Sequence, residues 1–181
     1  MSFRPISFLL LILVWLLTMG AGRAQQPPPT EYHVKAAFLF NFARFVEWPP
    51  GAFPDTASPI VIGVLGENPF HDDLEQTVQH KILNNRTLAI KQFGSPKEAT
   101  NCHILFISTS EKKRLPEIFD ALRGSSVLTV GETDRFTETG GMVSFVNEGT
   151  KIRFRINESA AKSAGLKISS KMLSLASPPN H

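Results

Sequence analysis

Four short apolar runs constrain this chain more than any other feature. They are Ile60 to Leu65 (IVIGVL), Leu88 to Phe93, His103 to Ile107 (HILFI) and Val127 to Val130, each ended by Gly or Ser. Runs of this length without polar alternation suit strands buried on both faces of a parallel sheet. Helical stretches lie between them. Pro69 to Gln79 has Asn68 as its cap and Pro69 at the first helical position, and Glu111 to Leu122 has Ser110 as its cap. The alternation predicts an α/β fold: an α/β/α layered domain with a mostly parallel sheet.

The two ends of the domain read differently from its middle. Glu31 to Trp48 contains no Gly or Pro, follows the N-capping type Thr30 and is stopped by Pro49-Pro50-Gly51, which predicts one helix of about five turns. Towards the other end, Met142 to Val146 and Ile152 to Ile156 flank Asn147-Glu148-Gly149-Thr150, a signal for a C-terminal β-hairpin. Along Lys151 to Ile156 basic and apolar residues alternate, so that strand has one solvated face and belongs near a sheet edge. Asn157 caps a short helix to Ala164 that Gly165 closes, and Ser169 to Ala176 packs down through Met172, Leu173 and Leu175.

Ahead of the domain, Arg4 is the one charge before the apolar run Phe8 to Leu17, and small residues follow, the layout of a secretory signal peptide. Ten apolar residues are about half of what a spanning helix needs. Cleavage between Ala24 and Gln25 is expected, with Ala21 as the rival site and an uncleaved anchor from Pro5 to Gly22 as the rival reading. The organisation expected is a signal peptide at 1–24, a flexible Pro-rich tail at 25–30, a single domain at 31–176 and a short tail at 177–181. Removing 1–24 takes away Arg4 and Arg23 and no acidic residue, so 19 Lys plus Arg against 16 Asp plus Glu becomes 17 against 16. A near-neutral domain gives no electrostatic footprint for nucleic acid.

The sequence offers no catalytic constellation and no cofactor fingerprint. None of the motifs G-x-S-x-G, H-E-x-x-H, G-x-x-x-x-G-K-[ST] or G-x-G-x-x-G occurs, and the five histidines never stand at i, i+3 or i+4 from one another, so no metal site, cofactor or catalytic residue is assigned. The acidic cluster Asp72, Asp73 and Glu75 falls in a first helical turn, where carboxylates favour the positive dipole end and face water. If a small molecule binds, it belongs outside the carboxyl ends of the strands, near Gly66, Asn68, Ser108 and Ser110. A hydrolase would need His71 or His103 beside a Ser or Asp in that crevice.

On the first helix, Val34, Phe38, Leu39, Phe42, Phe45 and Val46 share one face, the expected core stripe. Phe40 projects on the opposite side with His33, Arg44 and Glu47. That patch is either a protein-contact surface or an area covered by another part of the domain, such as the C-terminal segment. Cys102 is the single cysteine, which excludes an internal disulfide; it is either a buried thiol or a link between two chains.

Six segments in order carry a resemblance: E-Y-H-V-K-A-A-F-L-F-N-F-A-R-F-V-E-W-P (Glu31 to Pro49), V-L-G-E-N-P-F (Val64 to Phe70), C-H-I-L-F-I (Cys102 to Ile107), V-L-T-V-G (Val127 to Gly131), G-G-M-V-S-F (Gly140 to Phe145) and A-G-L-K-I-S-S-K-M-L (Ala164 to Leu173). Together they resemble the YfiR family of small exported bacterial proteins. The resemblance implies an α/β/α domain that tends to self-associate, so a homodimer is expected. It also implies a periplasmic, non-enzymatic repressor that binds the periplasmic part of an inner-membrane diguanylate cyclase, or of a similar membrane partner such as a sensor kinase, and restrains cyclic di-GMP synthesis and biofilm formation. A periplasmic small-molecule binding protein is the alternative. Relatives can carry disulfides with one cysteine at the C-H-I-L-F position; with Cys102 alone, redox tuning through an internal bridge is not open to this chain.

Overall fold

Ile60–Leu65 forms strand β2, buried along its whole length, in the interior of a seven-stranded sheet. The structure, a computed structural model, describes residues 30–178; the signal peptide, its cleavage site at Ala24 and Gln25, and most of the Pro-rich tail lie outside the described residues. Helix α1 (Glu31–Phe45) comes first, followed by β1 (Val46–Glu47) and β2. The chain continues through α2 (Asp73–Val78), β3 (Ile82–Leu83), β4 (Arg86–Phe93), β5 (Ile104–Ile107), α3 (Leu115–Ala121) and β6 (Leu128–Gly131). The last third contributes β7 (Val143–Glu148), β8 (Lys151–Ile156), α4 (Glu158–Ser163), β9 (Lys167–Ile168) and α5 (Ser170–Leu175).

The strand order is β3-β4-β2-β5-β6-β7-β8. β4, β2, β5, β6 and β7 run parallel, while β3 and β8 close the two edges antiparallel. The expected mostly parallel layered fold with a C-terminal hairpin is what forms. Alternate residues of each strand enter two cores. Ile60, Ile62, Val64, Ile104, Phe106, Leu128 and Val130 pack beneath α1 and its neighbours. Val61, Leu65, Leu105, Ile107 and Val127 pack beneath α3 with Phe136.

Several elements differ from the sequence reading, each for a local reason. α1 stops at Phe45 rather than Trp48, because Val46 and Glu47 pair with Ile168 and Lys167 in a separate two-stranded sheet. α2 starts at Asp73 rather than Pro69. Asn68 Oδ1 accepts from Phe70 N at 3.0 Å in a turn, and His71 adopts φ +49°, which no helix can pass through. Residues Thr109–Arg114 form a 3₁₀ turn capped by Ser108, so the α-helical part begins only at Leu115. β4 is half-buried rather than buried on both faces, since the short β3 hairpin, turning through Asn84 and Asn85 at positive φ, covers little of it.

The buried face of α1 is also rotated, by about 70° at 100° per residue. It consists of Lys35, Ala36, Leu39, Phe42 and Ala43, while Val34, Phe38 and Phe45 are only half-buried. Ala36 and Ala43 let the helix lie close on the sheet, and a charged residue occupies the end of the stripe. Phe42 meets Phe154 at 5.0 Å and Phe145 at 6.0 Å between ring centroids, fixing α1 across β7 and β8. At the C-terminus Ser169 N donates to Phe45 O, and Ser177 N donates to Phe154 O on the open edge of β8.

Candidate functional site: a charged cleft at the carboxyl ends of the strands

The parallel strands all end on the side where α1 begins, and there the chain leaves a cleft of about 590 Å³. Its walls are the first turns of α1 (Glu31, Tyr32, Lys35), the 132–138 segment that follows β6, and Ser144 and Arg155 from the β7–β8 pair. β7 and β8 continue beyond the end of β6, whose last residue Gly131 stands opposite Ser144, and this overhang forms the floor. Phe136 anchors the 132–138 segment. It is fully buried and lies against Gly131 and Gly141, where an added Cβ would collide with its ring.

Lys35 is the centre of the charge arrangement. Its side chain is 4% exposed, and its ammonium donates to Glu31 one helical turn earlier and to Glu132 at the end of β6. Tyr32 donates its hydroxyl to the same Glu132 at 3.1 Å. Burial by itself pushes the Lys35 pKa down, but the hydrogen bonds from Glu132 and Glu31 outweigh it and the net shift is upward. The Tyr32 phenol is also raised, first by burial and then by the Glu132 charge. Only the Glu31–Lys35 i,i+4 spacing is visible in the sequence; the other acidic end, Glu132, lies 97 residues from Lys35 and carries no sequence signal.

The residues expected to line a crevice sit elsewhere. Ser110 Oγ accepts from Glu67 N at 3.0 Å, and Gly66, at φ +89°, is packed so closely on Ser110 and Glu111 that no side chain fits. Gly66, Ser108 and Ser110 are thus brought together, but they fill the space between them; Asn68 is exposed in its turn. None of the four lines the cleft, which opens one strand further along the sheet. His103 is at the opposite, amino end of β5. Its Nδ1 accepts from Val61 N at 3.0 Å, its ring stacks on Phe53 at 4.2 Å, and burial lowers its pKa. The length of β5, about 13 Å, separates it from Ser108 and Ser110, so it forms no dyad with them.

The four residues read as a contact patch are split by the rotation of α1. His33 is exposed and its Nδ1 lies 3.1 Å from Asp73 Oδ1. Phe40 is half-buried on the flank beside α2, with the Lys81 ammonium 4.4 Å from its ring centre. Arg44 and Glu47 are exposed, the latter on β1. Cys102 is buried, and burial pushes its thiol up to about 12. Among the described residues no cluster of His, Cys, Asp or Glu has the makings of a metal site.

The sequence matches the YfiR/HmsC-like family over residues 32–177, from the first turn of α1 to the strap across β8. The chain belongs to that family. No helix among the described residues is long and apolar enough to cross a membrane. No curated protein sequence matches the chain. Among solved structures, the chain is similar to a conserved domain protein from Vibrio cholerae O1 biovar eltor, with a TM-score of 0.58 and 11% identity over 81% of this chain and 59% of that one. This YfiR/HmsC-like chain thus spans less than two thirds of the Vibrio protein, and the likeness shows the fold alone. A structure described as the ABC domain in complex with L-Trp from Streptococcus pneumonia reaches a TM-score of 0.46 at 13% identity, over 64% of this chain and 55% of that one.

Proposed function

We propose that this chain is an exported regulator that acts by protein contact, restraining an inner-membrane diguanylate cyclase through that enzyme's periplasmic part. The observation that carries the reading is the family match over 32–177, which takes in every element of the fold. The apolar leader Phe8 to Leu17 supports export. The contact surface in this proposal is the solvent side of α1, where His33 and Arg44 are exposed, Phe40 supplies an apolar edge and Glu47 continues the surface onto β1. Aromatic and Arg side chains are the residue types that dominate protein interfaces, and Phe40 contributes here from the α2 flank of the helix.

Affinity capture from solubilised inner membrane tests the contact. A tagged chain should retain a membrane cyclase, and Arg44→Glu should release it while lowering stability by only about 1 kcal/mol, the cost of reversing a charge in the last turn of α1. Recovery of no membrane signalling protein by the wild-type chain contradicts the proposal.

A further inference from the structure

Among the described residues, Arg155 is the cation of the cleft left without a counter-charge. Around it the charges are matched: Lys35 serves Glu31 and Glu132, Arg135 holds Glu138, and Lys112 stands 3.9 Å from the exposed Asp134. Among the described residues no carboxylate lies within ion-pair distance of Arg155, and its Nε is enclosed with no hydrogen-bond partner. On the opposing segment Thr133 is 5% exposed, and its Oγ1 is enclosed and unpartnered in the same way. Both residues line the one cleft.

Buried polar groups are nearly always hydrogen-bonded, and each exception calls for a physical explanation. Both residues line the cleft, and a single oxyanion held there accounts for both once the two side chains turn their enclosed atoms toward it. A carboxylate or phosphate takes two parallel N–H bonds from a guanidinium fork and has oxygen lone pairs left for a hydroxyl donor. The register supports the placement. Arg155 stands opposite Ser144, and Ser144 opposite Gly131, so Arg155 and the start of the 132–138 segment lie two strand spacings apart, roughly 10 Å. That is a span an Arg side chain and a small anion can bridge. The volume of about 590 Å³ is in the range of metabolite sites rather than of a lone ion.

We infer that this cleft binds a small organic oxyanion, a carboxylate or a phosphate ester, with its charge on the Arg155 guanidinium and a hydrogen bond from Thr133. The assignment is independent of the protein-contact reading and survives or fails without it. The test uses thermal melts of the purified chain in sodium succinate and in sodium phosphate, each against sodium chloride at matched ionic strength. Saturable stabilisation by about 3–6 °C at roughly ten times the Kd is expected, with amide shift changes at residues 133–137 and 144. Arg155→Gln and Thr133→Val should remove it. A response to succinate alone assigns the carboxylate class, and a response to phosphate alone assigns the phosphate class. Arg155→Lys, which keeps the charge and loses the fork, should bind at least about tenfold more weakly. No saturable response to either anion overturns the proposal, as does an equal response in Arg155→Gln or undiminished affinity in Arg155→Lys.

Discussion

Lys35 carries an ammonium into a site where its side chain is 4% exposed, and two carboxylates compensate it there. Replacing it with Met leaves Glu132, 10% exposed, without a counter-charge and with only the Tyr32 hydroxyl as a donor; chemical denaturation should show a loss of about 3 kcal/mol. Adding Glu132→Gln should restore most of it, and a Lys35→Met chain as stable as wild type contradicts the triad. The same groups set an alkaline limit. Lys35 and Tyr32 both hold their protons more tightly folded than at their ordinary values of 10.5 and 10.0. Their contribution is therefore complete below about pH 10 and is lost as pH rises through the raised folded-state values. Denaturation midpoints should fall steeply above pH 10, and less steeply in the Lys35→Met, Glu132→Gln double variant. Cys102, buried and pushed up to about 12, should stay unreactive to a thiol reagent until the chain unfolds. Rapid labelling of the native protein would refute that burial. A buried thiol at Cys102 was one of the two readings its position ahead of the HILFI strand allowed, whereas the pairing of Lys35 with Glu132 was not legible locally: only the ladder that ends β6 beside α1 brings them together.

The strands of the sheet interior were legible element by element because their physics is local. IVIGVL and HILFI have no polar face to turn outward, so they form buried parallel strands wherever the chain places them. The same holds for the hairpin, whose Gly149 at φ +61° begins a two-residue turn between Glu148 and Lys151. The orientation of α1 was not legible in this way. Counting large apolar residues puts the stripe on Val34, Phe38, Leu39, Phe42, Phe45 and Val46, of which Leu39, Phe42 and Val46 are buried, whereas close packing selects Ala36 and Ala43 in place of the other three and leaves Phe40 on a flank. Ala36→Leu should therefore destabilise by about 1–3 kcal/mol through overpacking, although Leu is a good helix former. A neutral or stabilising result would place the buried face elsewhere. β1 and β9 were invisible for another reason: two residues each carry no periodicity, and their pairing exists only because α5 folds back onto α1.

At the scale of the molecule, the fold separates two surfaces that the sequence could not tell apart. The cleft gathers its charges at the carboxyl ends of the strands, as open parallel sheets do. The expected lining at Gly66, Ser108 and Ser110 is closed by its own packing, and the opening lies instead where β7 and β8 overhang β6. In the function proposed, the solvent side of α1 is the surface that meets the partner. Family membership, not the geometry, directs the proposal to a diguanylate cyclase, and the decisive quantity is therefore the cellular level of cyclic di-GMP. In a strain lacking this gene that level should rise, fall again on complementation with the wild-type chain, and stay high with Arg44→Glu. A level that does not change on deletion would contradict the account.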